Sequence, residues 1–93
     1  SNSIRVIVSK DEGNGVVAYT VRLEVAHEGR FYPAVRFDAA HGNPHRDTLD
    51  WEGRVIEKEW LRLQPLADAL TEAEDDVRAN WQRYREELFR RKP

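Results

Sequence analysis

From Val17 to Val25 the apolar residues fall on strictly alternate positions, Val17, Tyr19, Val21, Leu23 and Val25, with Ala18, Thr20, Arg22 and Glu24 between them. Successive side chains of a β-strand point to opposite faces, so this pattern predicts a strand with one face to be covered and one left polar. The rest of the chain must therefore supply neighbours for the strand and a cover for its apolar side. His27-Glu28-Gly29 is a short turn in which the glycine can take positive φ, and apolar positions resume at Phe31, Val35 and Phe37 on one side, which predicts an antiparallel hairpin. Pro33 has no N–H to give to a ladder and so marks a sheet edge or a bulge. Ahead of the hairpin, Ile4, Val6 and Val8 alternate with Arg5 and Ile7 and predict a first strand, ended by Asp11-Glu12-Gly13-Asn14-Gly15. Downstream, Arg46 to Asp50 and Val55 to Leu61 predict two short strands around a turn at Trp51-Glu52-Gly53, with Ile56 and Trp60 toward the core.

The cover follows at the C-terminal end. Leu70, Ala73, Val77, Trp81, Tyr84 and Leu88 recur at spacings of three and four, and Thr71 with Glu74 fits a capping box, so a helix is predicted from about Glu72 to Arg91. Acids at Glu72, Glu74, Asp75 and Asp76 and bases at Arg90, Arg91 and Lys92 complement the helix dipole. The expected fold is α+β: a curled antiparallel sheet of about five strands in a meander, packed against one long C-terminal helix. Strands are placed at about 4–61 and the helix at about 72–91 in one domain over 1–93, and Ser1-Asn2-Ser3 reads as a remnant of recombinant expression. All three tryptophans, Trp51, Trp60 and Trp81, are read as packing residues.

Composition excludes several function classes. Ninety-three residues leave too little chain for two cores. Basic and acidic residues nearly balance at a net charge of -2, which argues against nucleic-acid binding by bulk charge and leaves room only for a local basic patch. The basic helix end, Arg83, Arg85, Arg90, Arg91 and Lys92, is diluted by Glu86 and Glu87 and reads as a solvated face. With no cysteine there is neither a disulfide nor a thiolate zinc site. No apolar run is long enough to span a bilayer and the first residues lack signal-peptide character, so the expectation is a cytoplasmic protein with no membrane partner.

The chemistry concentrates in RFDAAHGNPHRD, residues 36–47, where two histidines, two arginines and two aspartates surround a glycine and a proline. His41 and His45 have the separation that shares a zinc ion on a helix, but Gly42, Asn43 and Pro44 oppose helix, so no metal and no cofactor is expected. A second reading is acid–base catalysis. His41 and His45 would exchange protons, Asp38 or Asp47 would orient an imidazole, and Arg36 or Arg46 would stabilise a developing anion, the parts of a metal-independent ribonuclease. The plainest reading is structural: Arg36, Asp38, Arg46 and Asp47 as a cross-strand charge ladder on the solvated face, Asn43-Pro44 setting the turn, and one histidine capping a carbonyl.

The run VRFDAAHGNPHRDTLDWEG, followed by ALTEAEDDVRANWQRYRE, resembles a family of short prokaryotic proteins of unknown function. These share a strand ending in R-[FY]-D, an AHG-x-x-HRD loop and an acidic-start helix with a central N-W. The likeness spans about Val16 to Leu88 and marks Arg36, Asp38, His41, Gly42, His45, Arg46 and Asp47. Arg36, Phe37, Asp38 and His45 are also similar to the R-[FY]-D strand and following histidine of TumE-like toxins of toxin–antitoxin pairs, from which the chain departs in its shorter loop and its HRD continuation. The leading expectation is a non-enzymatic module that engages a protein partner through the polar loop, with a homodimer as one form of that partnership. The alternative is a toxin-like ribonuclease acting on RNA through His41 and His45. DNA is expected in neither case.

Overall fold

The computed structural model describes residues 2–40 and 43–92. Five strands, β1 (Ser3–Lys10), β2 (Val16–His27), β3 (Arg30–Ala40), β4 (Asn43–Leu49) and β5 (Val55–Trp60), precede one helix, α1 (Leu66–Arg90). The strands form an open antiparallel meander in the order β1-β2-β3-β4-β5, and α1 lies across β2, β3 and β4. This is the α+β architecture that the alternating and helical periods predict.

The period-two pattern of β2 builds the core. Tyr19, Val21 and Leu23 stand opposite Ala39, Phe37 and Val35, and all six are buried beneath Ala69, Ala73, Val77, Tyr84 and Leu88 of α1. The β2–β3 turn takes positive φ at Glu28 (48°) and Gly29 (77°), the geometry that matches the twist of a two-residue hairpin. At the far end of the helix, the Trp51 indole donates a hydrogen bond of 2.9 Å to the Leu88 carbonyl. The rings of His27, Tyr32 and Phe89 surround that indole, so Trp51 packs as the sequence predicts.

Several predicted positions shift. Leu23 pairs with Val35 but Glu24 pairs with Pro33, so Ala34 is the extra residue of a bulge beside Pro33. The bulge reverses the alternation, placing Tyr32 against the core and leaving Phe31 exposed. Val17 sits in a similar irregularity opposite Ser9 and Lys10 and is also exposed. Ile56 and Trp60, predicted toward the core, are exposed because β5 is an edge strand whose six residues all face solvent. The helix begins at Leu66, six residues ahead of the expected Glu72, with Pro65 at its N-cap and no side-chain cap. Proline's fixed φ suits a helix start, and Leu66, Ala69 and Leu70 extend the apolar stripe N-terminally. Thr71 is therefore inside the helix, donating to the Ala67 carbonyl rather than forming a capping box. The acids Glu72 to Asp76 fall beyond the first turn, whose acid is Asp68.

Candidate functional site on the uncovered sheet face

The register of β3 and β4 decides where the charged loop residues go. Arg36 stands opposite Asp47 and Asp38 opposite His45, while Phe37 stands opposite Arg46. Phe37 is a core residue under α1, so Arg46 projects to the helix side and Arg36, Asp38, His45 and Asp47 project to the face that no helix covers. Four of the six candidate residues thus share a face. Arg46 does not join them, contrary to its expected place in the catalytic set or in a solvated ladder, and His41, with Gly42, lies outside the described residues. Asn43 and Pro44, expected to set the turn, are the first residues of β4, paired with Ala40 and Ala39. Near a strand's start a missing N–H is tolerated, and Pro44 is buried there.

On the uncovered face the centre is Asp47, only 1% exposed although no secondary-structure element lies over it. Its own counter-ions close over it. Arg36 Nη2 donates to Asp47 Oδ2 at 2.7 Å, His45 Nε2 is 3.4 Å from the same oxygen, and Lys58 Nζ is 3.7 Å from Oδ1. Oδ1 accepts no hydrogen bond, so the carboxylate is held by charge on one side and by a charge-assisted hydrogen bond on the other. The His45 ring meets oxygen at both nitrogens, with Nδ1 3.4 Å from the Asn43 carbonyl, and its centroid is 5.2 Å from that of the Trp60 ring, the two planes tilted by 59°. Lys58 lies 5.4 Å from that indole.

Arg46 builds a separate network on the other side. Its Nη1 donates to the Tyr84 hydroxyl at 3.3 Å, its Nη2 pairs with Glu59 at 3.1 Å, and Tyr84 in turn donates to Asp76. Burial works against the Arg46 charge, but the Tyr84 hydrogen bond and the nearby Glu59 and Asp76 outweigh it, so the guanidinium is held above its ordinary value. Burial pushes the Tyr84 hydroxyl up, and its hydrogen bond to Asp76 adds to that. A groove of about 360 Å³ opens between β5 and the start of α1, and another of about 450 Å³ lies toward the helix end. Arg46 lines the second, and Arg36, Asp38, His45 and Asp47 line neither.

Lys58 and Trp60 are the site residues that sequence reasoning missed. Their signal was available: if β5 pairs with β4, the alternation that puts Asp47 and His45 on one face puts Lys58 and Trp60 beside them, as observed. Among the described residues no three of His, Cys, Asp and Glu come together to hold a metal ion, and no helix is long and apolar enough to cross a membrane. The sequence model of a family described as a domain of unknown function (DUF7718) matches residues 1–92. No curated protein and no solved structure matches the chain.

Proposed function

We propose, for a chain that belongs to the family of the domain of unknown function DUF7718, a non-enzymatic role as a module that docks a protein partner on the uncovered sheet face. The observation that carries this reading is Trp60, an indole 64% exposed at the end of an edge strand, standing over His45 and Lys58 at the margin of the Asp47 cluster. Tryptophan is among the residues that dominate interface energetics, and a large exposed aromatic beside a polar surface is the arrangement a docking face presents. Val55, Ile56 and Leu63 are further exposed apolar residues near it in the chain. Self-pairing through β5 is disfavoured by charge: antiparallel registers centred on Glu57, Lys58 or Glu59 each set like charges directly opposite one another. The partner is therefore a different protein or a second copy engaged through the face. A photo-crosslinking residue placed at position 60 should form an adduct with one protein that can then be rebound in purified form. The same probe at the exposed helix position Arg78 should not, and Trp60→Ala should abolish rebinding. Equal capture from both positions would sink the proposal.

A second reading is supported by the 3.4 Å approach of His45 to Asp47 with Arg36 and Lys58 alongside, and by the likeness of Arg36, Phe37, Asp38 and His45 to TumE-like toxins. In this reading the chain is a metal-independent ribonuclease with His45 in acid–base exchange with His41, and Lys58 takes the cationic role first given to Arg46. Cleavage of an RNA oligonucleotide, lost in His45→Ala at unchanged melting temperature, is its expected result. Absence of cleavage by the intact chain over a range of RNA sequences would remove it.

A further inference from the structure

Across the strands, the register sets Arg5, Arg22, Arg36, Asp47 and Lys58 in one line over the uncovered face, one residue from each strand. With neighbouring strands about 4.8 Å apart, the line is about 19 Å long. Its carboxylates lie low. Arg5 and Arg22 share Glu24 at 3.0 and 3.4 Å, and Arg36 and Lys58 share Asp47 at 2.7 and 3.7 Å. The side chains of Glu24 and Asp47 are 15% and 1% exposed, against 60% for Arg5 and 43% for Lys58. Four cations thus cover two sunken acids, and solvent meets positive charge along the whole line.

Structural economy does not explain this order. Arg5 stands directly opposite Arg22, and Arg22 directly opposite Arg36, whereas like charges across a ladder destabilise it and a merely solvated face would alternate sign. Arg22 and Arg36 each donate through Nη2, to Glu24 and Asp47, and with side chains about one-third exposed they keep Nη1 donors unspent among the described residues. We infer that the line from Arg5 to Lys58 seats an extended acidic segment of the partner protein, its carboxylates on the arginine forks and on Lys58 and an apolar side chain against Trp60. This rests on the interaction-module reading and names the chemistry of its partner. A peptide suits the face better than a nucleic acid for one reason. Asp38 in the row beside the arginines and the net charge of -2 oppose either polyanion alike, so the choice rests on the neutral contacts that the face offers. The line has one exposed ring at its β5 end rather than a run of stacking platforms.

The test is an NMR titration of the full chain with a decamer of glutamate and, separately, with a decamer of uridylate. The expected result is that the arginine Nε–Hε signals of Arg5, Arg22 and Arg36 and the Trp60 indole N–H shift with the glutamate peptide and return as salt is added. Arg5→Gln combined with Arg22→Gln should weaken that binding about tenfold or more, the scale set by losing charge-assisted hydrogen bonds, while Arg78→Gln leaves it unchanged. Should the double variant fail to fold, Lys58→Gln provides the same comparison. Unmoved arginine signals, or equal binding by the variants, would overturn the inference, and tighter binding of uridylate at the same signals would overturn it in favour of RNA. If the peptide fails but the crosslinker at position 60 still yields its specific adduct, the acidic-segment inference falls while the interaction module stands. If both fail, the module reading falls with it.

Discussion

Arg46 and Asp47 are consecutive residues that belong to two different electrostatic worlds. Arg46 turns under α1 and is enclosed by another element of the fold, with Tyr84, Glu59 and Asp76 holding it in place. Asp47 turns to the uncovered face, where its ion-pair partners among the described residues are Arg36, His45 and Lys58. Asp47 is the more deeply withdrawn from water, at 1% exposure against 21% for the Arg46 side chain, although no helix lies over it. The difference separates a charge set by the packing of a helix from one set by side chains of neighbouring strands alone, and it is the second kind that the proposed acidic segment would engage.

The sharpest way to break this contrast is to remove the cover from Asp47. Arg36→Met leaves a buried carboxylate with no charge-assisted hydrogen bond from arginine and only Lys58 and His45 nearby, and should destabilise the chain by about 3 kcal/mol in urea unfolding. Adding Asp47→Leu should recover most of that loss, since a buried ion pair replaced by apolar residues is close to neutral. A loss below about 1 kcal/mol for Arg36→Met would mean that Asp47 rehydrates freely and that its cover is not structural. The matching change on the other side, Tyr84→Phe, removes one hydrogen bond to Arg46 and one to Asp76 but leaves Arg46 paired with Glu59. About 1–2 kcal/mol is expected, less than for Arg36→Met because Arg46 keeps Glu59 and the Asp76 carboxylate that loses its donor is only partly buried.

The helix-side network also has a signature in pH. An unfolded tyrosine loses its proton near pH 10. Burial raises the Tyr84 and Tyr19 hydroxyls above that value, reinforced at Tyr84 by Asp76 and at Tyr19 by the charge of Asp38. Between the unfolded and folded values the native chain holds more protons, so stability is intact below about pH 10 and falls as pH rises beyond it. Unfolding midpoints measured from pH 9 upward should show this decline, and Tyr84→Phe should flatten it. An unchanged slope in Tyr84→Phe would assign the decline to other groups.

How much of this was legible depends on what reads the pattern. The alternation of Tyr19, Val21, Leu23 and Val25 and the helical spacing of Ala73, Val77, Tyr84 and Leu88 each report burial by one partner, and both survive in the structure. Phe31 was misplaced because one inserted residue, Ala34, reverses every side chain beyond it. Trp60 was misplaced for a different reason: a tryptophan's size says that it can be buried, while its burial depends on whether α1 reaches the fifth strand. The helix start was hidden because Pro65 begins it without the side-chain cap that a capping-box search requires. In RFDAAHGNPHRD the residue types pointed to a site, but its partition into two faces follows from the Phe37–Arg46 pairing, which needs the register.

The smallest expected effect on stability discriminates most about function. Trp60→Ala removes a side chain that is 64% exposed and whose ring contacts among the described residues are with His45 and Lys58, so the unfolding free energy should change by no more than about 0.5 kcal/mol. A loss well above that would make Trp60 a structural lid over His45 and Asp47, and the uncovered face a second sealed network like that of Arg46. If stability holds while partner capture from position 60 disappears, the indole serves nothing inside the fold, and the exposed tryptophan is accounted for by what binds to it. Measured beside Arg36→Met, the pair locates the boundary between the part of this face that holds the protein together and the part left for a partner.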